Sequence, residues 1–220
     1  MSALRFSSLI ILFPILFAAC GRSELIRIRM LAPVTEDKKD YAIFTDTTSS
    51  SSFTPTITNK NVGGSLYFLF KSIGLGYTTI TTKMEKTGTN FNKKTITEKT
   101  TLVTNFTDVA FGLGENYSFM WGAGVLSGGK RETSLEYGGS APFNPKNNYL
   151  GGHSIFFVPG HHGFGFETLL GYRTNFIKAE FEESNLPLSK VGKTGKDFTY
   201  ESNKLSVTTS QVQLGIGFTF

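Results

Sequence analysis

The 220-residue chain has a single cysteine, one tryptophan and three histidines. One cysteine excludes an intramolecular disulfide, and it leaves no Cys-built metal site. No apolar run reaches the roughly 20 residues that a membrane-crossing helix needs, and mean hydropathy is only −0.08. Beyond residue 20 there is almost no 3.6-residue periodicity, so a helical bundle is excluded as well. The formal charge is +5 and the pI about 9.2. The basic residues, however, are scattered among Asp and Glu in polar stretches, as solvated loops would be. With no basic helix and no recognisable module, nucleic acid is not an expected partner. No glycine spacing suits a phosphate-binding turn before a helix, and no cofactor is implied.

What the sequence does have is 21 Phe beside 24 Gly, a pairing that suits strands with one bulky face and one bare face. Alternation is plain in several segments. In Asn116–Val125, Tyr117, Phe119, Trp121, Ala123 and Val125 oppose Ser118, Met120, Gly122 and Gly124. In His162–Phe176, Phe164, Phe166, Leu170, Tyr172 and Phe176 oppose Gly165, Glu167, Gly171, Arg173 and Asn175. At the C-terminus Val212, Leu214, Ile216, Phe218 and Phe220 oppose Gln213, Gly215, Gly217 and Thr219. Ile73, Leu75 and Tyr77 oppose Gly74, Gly76 and Thr78, and Thr95–Leu113 is a long Thr-rich strand whose apolar face (Val109, Phe111, Leu113) shows only at its end. Ser65–Phe70 and Ser154–Val158 are strands that the pattern alone does not orient.

The second face identifies the solvent of the first. A soluble sheet would place Lys, Glu and Arg opposite its aromatic face; here the opposite face is mainly Gly, Ser and Thr. That suits the crowded lumen of a narrow barrel with its bulky face toward lipid. Backbone groups in hydrocarbon must all be paired, so the sheet has to close. The connections agree. Short turns are expected at Lys71–Ile73, Gly114–Asn116 and Pro159–His162, alternating with long polar loops over Thr87–Lys94, Ser127–Tyr149 and Glu182–Thr199. The expected fold is an all-β, closed, antiparallel up-and-down transmembrane barrel of about eight strands, with short periplasmic turns and long outer loops. Seven strands follow Gly63. The first is placed at about 24–31, where Ile26, Ile28 and Met30 would face out and Arg27 and Arg29 in, leaving a mobile loop over about 32–61. Tyr41–Thr45 is the competitor.

Residues 1–20 read as an export signal and 21–220 as the barrel. Arg5 supplies a positive start, Leu9–Phe17 a short apolar core, and Ala18-Ala19 small residues before Cys20. Leu16-Phe17-Ala18-Ala19-Cys20 resembles a bacterial lipobox, although Phe17 stands where an aliphatic residue is usual. The resemblance implies a lipid on Cys20; the alternative is an ordinary signal with an incidental cysteine. The chain as a whole resembles the small eight-stranded bacterial outer-membrane β-barrel superfamily, through its alternation and above all through Gln211–Phe220. Within that segment Ile216, Phe218 and Phe220 resemble the C-terminal signal read by the barrel-assembly machinery. The resemblance implies the outer membrane of a two-membrane bacterium as location and its lipids as surroundings.

Catalytic candidates are weak. Adjacent strand residues such as His153 and Ser154 point to opposite faces, and His161-His162 lacks further ligands. No catalytic or metal residue is therefore assigned, and no enzyme is expected. One cluster is proposed in the lumen: Arg27, Arg29, Glu167 and Arg173 as ions paired across a narrow interior, since buried charges need partners. An eight-stranded barrel is just filled by side chains, so the expected role is structural or partner-binding through loops 131–149 and 183–199 rather than that of a general pore. Two alternatives stand beside it. One is a lipid-tethered soluble barrel with Phe119, Trp121, Phe164 and Phe166 lining an apolar cavity; the other is a lipid-modifying enzyme.

Overall fold

The computed structural model describes residues 26–34, 44–45, 56–89, 95–114, 116–137, 147–163, 166–181, 199–200 and 204–220. The elements are β1 (Ile26–Pro33), β2 (Phe44–Thr45), β3 (Thr56–Phe70), β4 (Ile73–Thr89), β5 (Thr95–Leu113), β6 (Tyr117–Tyr137), β7 (Asn147–Gly163), β8 (Phe166–Phe181), β9 (Thr199–Tyr200) and β10 (Lys204–Thr219). Eight of them form a closed barrel in the order β1-β10-β8-β7-β6-β5-β4-β3, while β2 and β9 pair with each other outside it. All neighbours are antiparallel. The short β1 closes the sheet, pairing with β3 from Ile26↔Phe70 to Leu31↔Ser65 and with β10 from Arg27↔Thr219 to Pro33↔Gln213. With both edges of every barrel strand engaged at this end, no unpaired backbone row is left to lipid or to another chain.

The faces follow the alternation. Tyr117, Phe119 and Val125 are exposed and Ser118 and Met120 buried; Phe166, Leu170 and Tyr172 are exposed and Glu167, Arg173 and Asn175 buried. The two segments that pattern left unoriented are settled by pairing. Tyr67 and Leu69 point inward and Leu66, Phe68 and Phe70 outward; Phe156 and Val158 point inward and Ile155 and Phe157 outward.

The strands are longer than the alternation suggests, which corrects several boundaries. Pro159–His162 is not a turn: these residues continue β7, with His161↔Thr168 and His162↔Glu167. Thr87–Thr89 continues β4, and Thr56–Asn61 of the expected 32–61 loop belongs to β3. Phe44–Thr45 of the competing first-strand segment forms β2, outside the barrel. The largest correction concerns Ser127–Tyr149, where residues up to Tyr137 continue β6 and those from Asn147 begin β7. The physical reason is a bulge. Phe106 pairs with Leu126 but Asn105 with Gly128, so Ser127 is an extra residue in β6. One inserted residue reverses which parity faces inward. Beyond it Arg131 and Thr133 are buried and Lys130 and Glu132 exposed, and a single-parity reading takes that reversal for a loop. At the same level β6 parts from β7: their pairing runs from Tyr117↔His161 to Val125↔His153 and no further among the described residues. Residues 1–25, with the signal and Cys20, and residues 183–198 of the last loop lie outside the described residues.

Candidate functional site

The inward faces fill the barrel in layers, named here from the end carrying the Lys71-Ser72 turn. The first is ionic. Arg29, on β1, donates from Nε to Glu167 Oε2 at 2.7 Å and from Nη2 to Oε1 at 2.8 Å, a two-point contact across the β1–β10–β8 corner. Arg27 donates from Nη2 to the Gly114 carbonyl at 2.7 Å, and its Nη1 lies 3.9 Å from Glu167 Oε1. Arg29 and Glu167 are fully buried. Gly217 makes the room for this pair, because a Cβ there would stand 2.6 Å from Glu167 Oε2 and 3.1 Å from Arg29 Cγ. Beside the ions an apolar layer of Leu31, Tyr67, Leu69, Ala110, Met120, Phe156, Val158 and Leu169 closes the cross-section.

The second ionic layer is at mid-height and is denser. Arg173 donates from Nη1 to Asp108 Oδ2 and from Nη2 to Oδ1, both at 2.9 Å. The same guanidinium donates to Tyr67 Oη at 3.2 Å, Thr78 Oγ1 at 3.0 Å, Asn175 Oδ1 at 2.9 Å and the Ser154 hydroxyl. Thr78 donates onward to Asp108 Oδ2 at 2.6 Å. The carbon of the guanidinium sits 4.8 Å from the Phe106 ring centroid and 5.5 Å from that of Phe156. Every nitrogen of Arg173 thus has an acceptor, the condition under which a buried ion is tolerated. Gly124 is required here: a Cβ would meet Asp108 Oδ1 at 1.9 Å.

Above it lies a second apolar layer of Met84, Leu102, Phe106, Ile177 and Val207, with Leu126 and Leu150 packed against it. A third polar layer sits near the loop end. Arg131 Nε donates to Thr133 Oγ1 at 3.3 Å, and Thr100 donates to Glu98 Oε1 at 3.4 Å. Burial pushes the Arg131 guanidinium down to about 10 while the Glu98 carboxylate works the other way, so the arginine stays charged at neutral pH.

Of the four residues expected to form one cluster, the structure brings together Arg27, Arg29 and Glu167 and places Arg173 elsewhere, on Asp108. Asp108 was missed, although Val109, Phe111 and Leu113 facing out put it on the inward row. Tyr67 and the Glu98–Arg131 layer were missed too, the latter because of the bulge. Ile216 and Phe218 face outward, as does the terminal Phe220. Of the aromatic residues named for an interior cavity, Phe119 and Phe166 are exposed on the outer surface and Trp121 is half-buried on the same outward row as Phe119, while Phe164 is outside the described residues. His153 is exposed and stacks on Phe176 with centroids 4.9 Å apart, while Ser154 is fully buried, so the two cannot meet one substrate. Among the described residues no three His, Cys, Asp or Glu side chains are grouped to hold a metal ion.

The outer surface is sorted by height. On β4 the outward residues run Ile73, Leu75, Tyr77, then Thr79, Thr81, Lys83, Glu85; on β6 they run Tyr117 to Val125, then Ser127, Lys130, Glu132. Among the described residues, apolar side chains 40–70% exposed, such as Leu75 at 65% and Tyr117 at 70%, lie in the turn-end half of the barrel, reaching up to Val62 and Val125. These features define a closed eight-stranded barrel with a packed lumen and an apolar outer belt. No family model and no curated protein matches the chain. Among solved structures its fold is similar to that of the outer membrane protein OprG from Pseudomonas aeruginosa, with a TM-score of 0.46, 10% identity, and coverage of 91% of this chain and 98% of that one.

Proposed function

We propose that the chain is an integral outer-membrane barrel that works through the part it displays outside, not by passing solutes. The observation that carries this reading is the belt. About ten residues per strand, rising roughly 2.5 Å each at the tilt of such barrels, give the ~25 Å of apolar surface that an outer-membrane barrel presents. Tyr117, Phe119, Phe166 and Phe218 lie at its turn-end edge, where interfacial aromatics belong. In water this surface would be a very large exposed apolar patch. In lipid it is solvated, and closure satisfies the backbone. The short turns then face the periplasm and the loop ends face outward. Fully buried Arg29, Tyr67, Phe106, Met120 and Arg173, stacked at successive levels, argue against an open channel. The loop-end halves, including Lys130–Tyr137 and the 183–199 connection, are the parts offered to a partner, and the lipid on Cys20 and C-terminal recognition by the assembly machinery belong to the same reading.

The single tryptophan, Trp121, sits on the belt and gives the test. In vesicles with brominated acyl chains its emission should be blue-shifted and quenched, and the folded band should shift on heating in gels. Unquenched emission, with the protein released by a urea or carbonate wash, would overturn the reading.

A further inference from the structure

Just above the belt, Lys60 of β3 and Lys83 of β4 are direct cross-strand partners. Both are exposed on the outward face, and neither makes an ion pair or hydrogen bond among the described residues. Like charges directly opposite on a sheet repel. Among the described residues, the outward acids of the neighbouring rows are paired with other lysines: Glu85 Oε1 lies 3.8 Å from Lys99 Nζ, and Glu132 Oε1 lies 2.9 Å from Lys130 Nζ. The next outward positions toward the turn end are Val62 on β3 and Thr81 on β4, paired with each other. Below them Leu66, Tyr77 and Leu75 form an exposed apolar strip reaching down the belt. Ten residues separate Lys60 from Phe70 and Lys83 from Ile73, so both ammonium groups stand about 25 Å above the turn end, where lipid headgroups begin.

We propose that Lys60 and Lys83 bind the phosphate of an anionic lipid in the outer leaflet, whose acyl chains lie along Val62, Leu66, Tyr77 and Leu75. A phosphate between the two ammonium groups removes their repulsion and gains two charge-assisted contacts. This rests on the barrel spanning a membrane. The experiment is lipid retention by the full-length barrel, measured by native mass spectrometry after exposure to equal phosphatidic acid and phosphatidylcholine. Two interfacial lysines imply a preference of roughly thirtyfold for phosphatidic acid. Lys60→Gln/Lys83→Gln should reduce it to near parity, whereas Lys178→Gln, removing an exposed lysine on β8, should leave it intact. Equal retention by the unaltered protein, or an undiminished preference in the double variant, would overturn the proposal. Inorganic phosphate that displaces the lipid at equal concentration would overturn the lipid assignment. Quenching of Trp121 by brominated lipid in the same preparations separates the two failures, because quenching without lipid preference removes only this inference.

Discussion

Removing the carboxylate from the mid-height layer is the most searching perturbation of the packed lumen. In Asp108→Ala, Arg173 keeps Tyr67, Thr78, Ser154 and Asn175 as acceptors but loses the one anion it meets among the described residues, with no solvent contact to compensate. Leaving one partner of a buried pair uncompensated costs about 3–5 kcal/mol. The four neutral acceptors soften this, so the lower end, about 3 kcal/mol, is expected. Arg173→Met with Asp108→Ala removes both charges together, and such replacements are often close to neutral. The double variant should therefore be more stable than Asp108→Ala alone. Urea unfolding in lipid vesicles, followed by Trp121 emission, gives all four corners of the cycle. If Asp108→Ala costs less than about 1 kcal/mol, or the double variant is additive, the layer is not an electrostatic unit and the reasoning fails.

Glu167→Ala strands the fully buried Arg29, and the same assay, or the heat-shift midpoint in gels, should show a loss of about 3–5 kcal/mol; an unchanged midpoint would refute it. Gly124→Ala places a methyl against Asp108 and Ser154 and should cost about 1–3 kcal/mol by overpacking, and a silent substitution would show that the cluster has slack. Leu170→Arg, on the outer surface near the middle of the belt, should cost about 2–4 kcal/mol in lipid, whereas Lys178→Arg above the belt should cost almost nothing; equal effects would contradict the height assignment. Planar-bilayer recordings of the unaltered barrel should show no sustained open-pore conductance, and a steady ohmic current would contradict the layered packing of the lumen.

Fold class and the facing of most strands were legible because alternation of period two is written directly in Tyr117–Val125, Phe166–Phe176 and Val212–Phe220. Legibility failed where that period is interrupted or muted. Ser127 shifts the phase, which hid a further turn of inward residues and with it Arg131. In Thr95–Leu113 threonine occupies both faces, so Asp108 was recoverable only by extending the parity of Val109 backwards. Pairing of the lumen ions was legible only in part: Arg27, Arg29 and Glu167 were expected together and meet, but Arg173 was grouped with them and its partner Asp108 was not named. Arg173 and Glu167 share one face of one strand six residues apart, and which carboxylate each arginine reaches depends on how strands far apart in sequence meet across the interior. Only closure of the barrel fixes that.

The three central strands β4, β5 and β6 run 17, 19 and 21 residues, well beyond what the belt uses. With the belt in lipid, as proposed, their surplus would form a collar standing about 20 Å clear of it. On that reading a loop carried on the collar would stand beyond the headgroup zone, within reach of a protein partner that need not approach the bilayer. The height at which this molecule meets its surroundings is thus set by strand length, and shortening β5 and β6 in step would lower that platform while leaving the anchored half untouched.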